Sequence, residues 1–246
     1  MGATELILIR HGESAGNVAA THAGQSGAER IDIDWRDPDV PLSPTGERQA
    51  EALGRWFAGL PGAERPESVW CSPYLRARQT TELAGLPAAA GSMRQDERLR
   101  DRELGIMDLL TSAGVAARYP EEAKRRAWLG KFVYRPPGGE SWADVALRLR
   151  SVLRDLDDEE DGKRVAVVCH DAVIMLIRYI CERLTEQELL DLAAANSVRN
   201  ASVTRLVRPE GTGPWKLQTF NSVLHLQDSG APVTEHAGDE HDVHPR

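Results

Sequence analysis

The chain has 246 residues, 41% of them hydrophobic and 28% charged, a balance that supports one sizeable core and excludes the apolar-poor profile of a disordered protein. Its 30 Lys and Arg against 38 Asp and Glu leave a net charge of −8, which argues against nucleic acid or an anionic membrane as the main partner. Cys71, Cys169 and Cys181 show neither disulfide nor zinc-ligand spacing, so no structural metal is expected and a reducing, cytoplasmic setting fits. No apolar run approaches the roughly 18 residues of a membrane span, and Glu5 and Arg10 come too early for a signal-peptide apolar region.

In chain order, continuous apolar runs alternate with segments of helical period, which predicts an α/β fold: three layers, α/β/α, around a mostly parallel sheet. Leu6 to Ile9, Ser68 to Cys71 and Val165 to Cys169 read as strands covered on both faces, each followed by a helix. Ser43-Pro44 supplies an N-cap and a first-turn proline for a helix that presents Ala50, Leu53, Phe57 and Leu60 on one side. Residues from about Gly105 to Gly139 are irregular and too long for a simple connection, so they are expected to form a lid. Ser141-x-x-Asp144 resembles a capping box ahead of an apolar stripe at Val145, Leu149, Val152 and Leu156.

Val173, Leu176, Ile177 and Ile180 predict a further helix, and Thr185-x-x-Glu188 opens another. Ser202 to Val207 and Lys216 to Phe220 read as a hairpin that adds an antiparallel strand at the sheet edge. Residues 1–226 are therefore expected to be one catalytic domain. From Gln227 onward, where half of the acidic excess sits, the composition predicts a disordered, solvated tail that includes His236, His241 and His244.

The reactive side chains cluster at the carboxyl ends of the strands. Arg10, His11 and Gly12 end the first, Ser72 to Arg76 follow the second, Asp101 follows Leu99, and His170 ends the Val165 to Cys169 run. In open α/β sheets that edge is where ligands bind, so four distant segments are expected to share one site. Neutral imidazole is a usable nucleophile and guanidinium groups grip phosphate, which together suggest phosphoryl transfer. Ion-paired arginines and hydrogen-bonded strand-end histidines are the bland alternative for each residue taken alone. Cys169, beside His170, lacks any feature that would activate a thiolate and reads as an inert core residue.

Leu8-Ile9-Arg10-His11-Gly12-Glu13-Ser14 with Asn17 resembles the signature of the histidine phosphatase (phosphoglycerate mutase-like) superfamily. Pro41 to Ala50, Ser72 to Thr80, Gly138-Gly139-Glu140-Ser141 and Val167-Val168-Cys169-His170 are similar to its later segments, in family order between about Glu5 and Phe220. The resemblance implies that His11 forms a phosphohistidine, that Arg10, Arg76 and His170 bind the phosphoryl group, and that Asn17 and Ser14 contact the substrate. It implies no metal and no cofactor, and a homodimer is compatible with it.

Two positions depart from the family pattern. Asp101 stands where a glutamic acid usually serves as the acid, with Glu103 as the alternative, and Asp171 replaces the usual glycine after the second histidine, where it is expected to narrow the pocket or orient His170. Like charge from a bound phosphate dianion is expected to raise the pKa of Asp101. Between Arg94 and Arg135 ten basic residues stand against seven acidic ones. Arg125 and Arg126 in that stretch are expected to contact a small phosphorylated substrate with additional negative charge, such as a phosphorylated sugar or small acid. Met107 to Arg118 does not match the mutase pattern, which favours a metal-independent phosphatase; a bisphosphoglycerate-dependent mutase and a non-catalytic phospho-ligand binding protein are the alternatives.

Overall fold

The structure, a computed structural model, describes residues 2–86 and 93–236. Its centre is a sheet of six strands: β1 (Glu5–Arg10), β2 (Ser68–Cys71), β3 (Met93–Gln95), β4 (Arg164–Cys169), β5 (Val203–Val207) and β6 (Lys216–Ser222). They lie in the order β3-β2-β4-β1-β5-β6. β3, β2, β4 and β1 are parallel, and β5 runs against β1 with β6 beyond it, so the expected hairpin does form the edge.

The continuous apolar strands have the explanation the sequence suggests: both faces are covered. Leu6 and Leu8 of β1 and Val165 and Val167 of β4 pack against Val145, Leu149 and Val152 of α6 (Trp142–Glu159) and Ile174 and Ile177 of α7 (Asp171–Glu182). Ile7, Ile9, Ala166 and Val168 face the other way, onto Leu53 and Phe57 of α2 (Pro44–Gly59) and Ala77 of α3 (Leu75–Leu83). Each fully buried Leu, Ile or Val contributes about 1.5–3 kcal/mol, so this two-sided burial fixes β1 and β4 at the middle of the molecule.

Helix ends follow the sequence signals. Ser43 caps α2 through Gly46 N, and Ser141 with Asp144 forms the capping box of α6. Thr185 with Glu188 does the same for α8 (Glu186–Ala195). Ser14 and Asn17 form a further capping box on α1 (Ala15–Ser26). Among the described residues no helix is long and apolar enough to cross a membrane.

Two expectations need correction. The lid is not irregular: it holds α4 (Ser112–Arg118) and α5 (Pro120–Leu129), started by a Thr111 cap and by a proline at the first helical position. The segment from Gln227 to His236 is ordered rather than a solvated tail. Residues 224–229 are α9 (Leu224–Ser229), and the strap after it is pinned where Gln49 Nε2 donates to Pro232 O and Thr234 Oγ1, both at 2.9 Å. Asn200 N donates to Thr234 O at 3.1 Å. Polar composition misled here because the strap's stability comes from backbone bonds to a distant glutamine and asparagine. Residues 237–246, with His241 and His244, lie outside the described residues.

Candidate active site

The carboxyl ends of β1, β2 and β4 bring the motif residues into one cavity of about 490 Å³, lined by Arg10, His11, Arg76, Asp101 and Asp171 among others. His11 follows β1 and is 3% exposed. Its Nδ1 is 2.7 Å from Gly12 O. A carbonyl only accepts, so Nδ1 carries the proton and Nε2 keeps its lone pair. Arg76 Nε points at that lone pair from 3.3 Å. Burial, and then the neighbouring Arg76, His170 and Arg10, push the His11 pKa well below its ordinary value. His11 is therefore a neutral imidazole with its lone-pair nitrogen facing a guanidinium group.

His170, the N-cap of α7, stacks edge-on to His11 with ring centroids 5.2 Å apart. Its Nε2 is 2.8 Å from Ser72 Oγ. Its Nδ1 is 3.3 Å from Asp101 Oδ2, an ion-pair separation without hydrogen-bond alignment. Burial lowers its pKa to about 4, against the pull of Asp101. Ser72 is thus the hydrogen-bond partner of this ring, and Asp101 is a charge beside its other nitrogen. Asp171 starts α7 and lines the cavity, where its charge acts on Arg10.

Arg76 is 4% exposed and joins the pieces. Nη1 donates to Asp37 O at 2.7 Å and Asp37 Oδ1 at 2.9 Å, and Nη2 donates to Asp101 Oδ2 at 3.1 Å. Asp37 belongs to a 3-10 turn (Asp37–Asp39) between α1 and α2. Arg10 donates to Val198 O and, at 2.9 Å, to His236 O. Its Nε is buried with no hydrogen-bond partner among the described residues, as a group aimed at a ligand would be.

Asp101 is expected from the sequence to be protonated beside phosphate. In the free site the sign is reversed. Burial raises its pKa, but His170 and Arg76 outweigh burial and hold Asp101 well below the usual carboxylate range. The ion pair with Arg76 is what a sequence cannot display. The loop carrying Asp101 is clamped by Glu140: its Oε1 accepts from Arg100 Nη2 at 2.7 Å and from Arg148 Nε at 2.9 Å, and Arg148 Nη2 donates to Asp101 O at 3.0 Å. Glu103 also reaches the cavity, but Tyr74 Oη donates to it at 3.0 Å and it contacts neither histidine. Geometry places Asp101, not Glu103, between Arg76 and His170.

Ser14 and Asn17 line the cavity, although their capping bonds already use Ser14 Oγ and Asn17 Oδ1 as acceptors. Arg125 and Arg126 do not line it. Lid helix α4 docks on the segment that follows α1, with Thr111 N donating to Glu29 O at 3.1 Å and Arg118 pairing with Glu29 at 3.0 Å. The lid reaches the cavity through Asp108, Leu109, Leu110 and Lys131, and the basic residues that line the cavity from this stretch are Arg102 and Lys131. Cys169 and Cys71 are buried, and burial pushes their thiol pKa values up, as expected of inert core cysteines.

Sequence reasoning missed three participants. Asp37 sits in a turn signalled by Pro38, but nothing local shows that it meets Arg76. Ser72 lay within a recognised motif without a role. His236 was read as part of a solvated tail, yet its ring lies between Thr21 Oγ1 at 2.6 Å and Glu13 Oε2 at 3.0 Å.

Residues 6–223 match the family profile of the histidine phosphatase superfamily (branch 1). The chain belongs to that superfamily. A 2,3-bisphosphoglycerate-dependent phosphoglycerate mutase 2 from Gloeobacter violaceus is 33% identical over 189 residues, 75% of this chain and 78% of that protein. A 6-phosphofructo-2-kinase/fructose-2,6-bisphosphatase from Gallus gallus is 31% identical over 183 residues, 74% of this chain but only 34% of that protein, so the chain spans about a third of that relative's length. Among solved structures, a mycobacterial glucosyl-3-phosphoglycerate phosphatase superposes with a TM-score of 0.68 at 27% identity, covering 89% of this chain and 99% of that one. Bacillus stearothermophilus YhfR gives 0.73 at 25% identity, covering 91% and 100%.

Proposed function

We propose that this histidine phosphatase superfamily member is a phosphomonoesterase that works through a phosphohistidine on His11. The observation that carries the reading is the lone pair of His11 Nε2, buried beside Arg76, His170 and an Arg10 Nε that has no hydrogen-bond partner among the described residues. Nε2 attacks phosphorus, the bond to the ester oxygen breaks, and Asp101 delivers a proton to the departing alcohol. Water then attacks the phosphohistidine, its proton returns to Asp101, and the P–N bond breaks to release orthophosphate. Arg10 and Arg76 neutralise the equatorial oxygens, the charge work that catalysis of phosphoryl transfer requires, so no metal is needed.

Asp101 enters the cycle ionised, so its proton must come with the substrate. A phosphate monoester has its second pKa near 6. A bound ester takes Arg76 from Asp101 and brings like charge beside it, and both changes favour moving the ester's proton onto Asp101. The setting for this chemistry is a soluble, cytoplasmic enzyme, and that placement is part of the proposal.

A panel of phosphate esters assayed with chelator tests the reading together with acid-labile phosphate trapping on the native chain and on His11→Ala. Turnover with chelator and trapping on the native chain alone are expected. A protein that binds phosphate but traps none and turns nothing over is a binding module instead. The 33%-identical mutase favours one competing reading, which requires stimulation by a bisphosphorylated primer and label exchange between two positions of a phosphoglycerate.

A further inference from the structure

Two histidine rings meet edge-on at the carboxyl ends of β1 and β4, and each neutral ring has one proton to place. For His11 the Gly12 carbonyl decides, because it can only accept. For His170 the deciding group is Ser72, the residue that follows β2. Ser72 is 0% exposed, so its hydroxyl cannot turn to solvent. Among the described residues Ser72 Oγ has two partners: Tyr74 N, which donates to it at 3.3 Å, and His170 Nε2, which lies at 2.8 Å.

One arrangement of protons satisfies this chain of groups. Tyr74 N–H occupies a lone pair of Ser72 Oγ, and the hydroxyl proton then has a single acceptor among the described residues, His170 Nε2. The reverse arrangement, with Nε2–H donating to Oγ, brings two donors to one oxygen and leaves the hydroxyl's own proton unbonded in a site closed to water. The other side of the ring gives the same answer independently. Nδ1 lies 3.3 Å from Asp101 Oδ2, where a lone pair would face a carboxylate and an N–H turns positive charge toward it. Burial lowers the pKa of the ring to about 4, so near neutral pH it holds one proton and not two.

We infer that Ser72 is a positioning residue whose hydroxyl donates to His170 Nε2 and so fixes the ring in its Nδ1–H tautomer, with the N–H edge turned toward Asp101. This reverses the Nε2–H form that an unconstrained histidine favours. His11 and His170 then carry the proton on the same ring atom by opposite means, a carbonyl that accepts at Nδ1 in one and a hydroxyl that donates at Nε2 in the other. An N–H edge can serve an anionic oxygen beside the ring without an imidazolium, whereas a lone pair there would repel it. The assignment goes beyond the phosphatase reading, since the tautomer is set before any substrate arrives.

Long-range proton–nitrogen correlation spectra of the isotope-labelled full chain at pH 7 read the tautomer directly, and His170→Asn identifies the signals of this ring. Native His170 is expected to show a protonated Nδ1 and a lone-pair Nε2, the Nδ1–H form favoured by about tenfold or more. A native ring with its proton on Nε2, or with both nitrogens protonated, overturns the inference. Ser72→Ala removes the donor. Nε2 is then expected to leave its native resonance, downfield where the lone pair is left bare and upfield where the proton moves onto it; an unchanged Nε2 overturns the assignment. Ser72→Thr keeps a hydroxyl and is expected to restore the native resonance, and a folded threonine variant that keeps the alanine-type signal overturns it too. For p-nitrophenyl phosphate, kcat/KM is expected to fall about 3- to 10-fold in the alanine variant and to recover in the threonine variant, the size of one lost hydrogen bond. Equal losses in both variants would deny Ser72 the positioning role. The native spectrum decides even where neither variant folds. A chain that shows the Nδ1–H form but hydrolyses no ester loses the phosphatase reading and keeps this assignment.

Discussion

Arg76 Nε stands 3.3 Å from His11 Nε2 while Nη2 of the same side chain stands 3.1 Å from Asp101 Oδ2. One planar guanidinium group thus spans the proposed nucleophile and the proposed acid. A lysine offers a single point charge and cannot hold both. Arg76→Lys is expected to lower kcat/KM by about 10²–10³-fold, as loss of a transition-state donor does. Steady-state kinetics on p-nitrophenyl phosphate measure this, and a loss under about fivefold would remove Arg76 from the proposed roles.

Asp101→Asn keeps the shape and removes the proton carrier. Its expected effect is a fall in kcat of about 10²–10⁴-fold for esters of poor leaving groups, and much less for p-nitrophenol, which leaves without a proton. Because the Arg76 guanidinium holds Asp101 ionised in the free site, the proton for the proposed acid is expected to arrive on the ester, and kcat/KM should decline as pH rises above about 6. A profile that climbs steadily to pH 9 would contradict this assignment. Equal losses on both kinds of ester in the variant would do so as well.

Acid should loosen the fold through its buried histidines. His11, His170 and His225 are all buried, and burial lowers each pKa, to about 4 for His170 and His225, from an ordinary value of 6.5. Between pH 6.5 and about 4 the unfolded chain binds protons that the folded chain refuses, so stability is intact above 6.5 and falls as pH falls. The slope is at most about 1.4 kcal/mol per pH unit for each histidine. Urea midpoints measured from pH 7 to 4.5 check the sign, and a midpoint that rises on acidification would refute it.

Gly46 packs its backbone against the segment that follows His11. A Cβ built there would lie 2.0 Å from Glu13 O, in the backbone of the segment that follows His11. Gly46→Ala is expected to cost about 1–3 kcal/mol or more and to lower activity, since relief of the clash must shift that segment. Urea denaturation with parallel kinetics will show whether both change; an alanine variant of native stability would mean the two segments part freely.

His236 holds the strap over Arg10: its carbonyl takes Arg10 Nη2 while its ring bridges Thr21 and Glu13. His236→Ala leaves the carbonyl but frees the strap, so Arg10 loses a fixed aim. KM is expected to rise about 3- to 10-fold with kcat changed less, the size of one or two lost hydrogen bonds. Orthophosphate inhibition constants give an independent reading, and an unaltered constant in the variant would show that the strap does not influence Arg10.

The fold class, the central strands and the starts of the helices capped by Ser43, Ser141 and Thr185 were legible in the sequence because their causes are local. Unbroken runs such as Leu6 to Ile9 mean burial on both faces, and a serine three residues before Asp144 caps a helix wherever that helix packs. The meeting of His11, Arg76, Asp101 and His170 was also foreseen, since strand ends in a parallel sheet converge. The lid's direction was not foreseen, because docking of Thr111 and Arg118 on Glu29 sends Arg125 and Arg126 away from the cavity and leaves Arg102 and Lys131 there.

The charge state of Asp101 and the anchoring of the tail at His236 belong to the tertiary structure for the same reason. An ion pair to Arg76 or a backbone bond to Arg10 acts between residues 25 and 226 positions apart. Such energies depend on distance and burial in space, and a linear order of side chains carries neither.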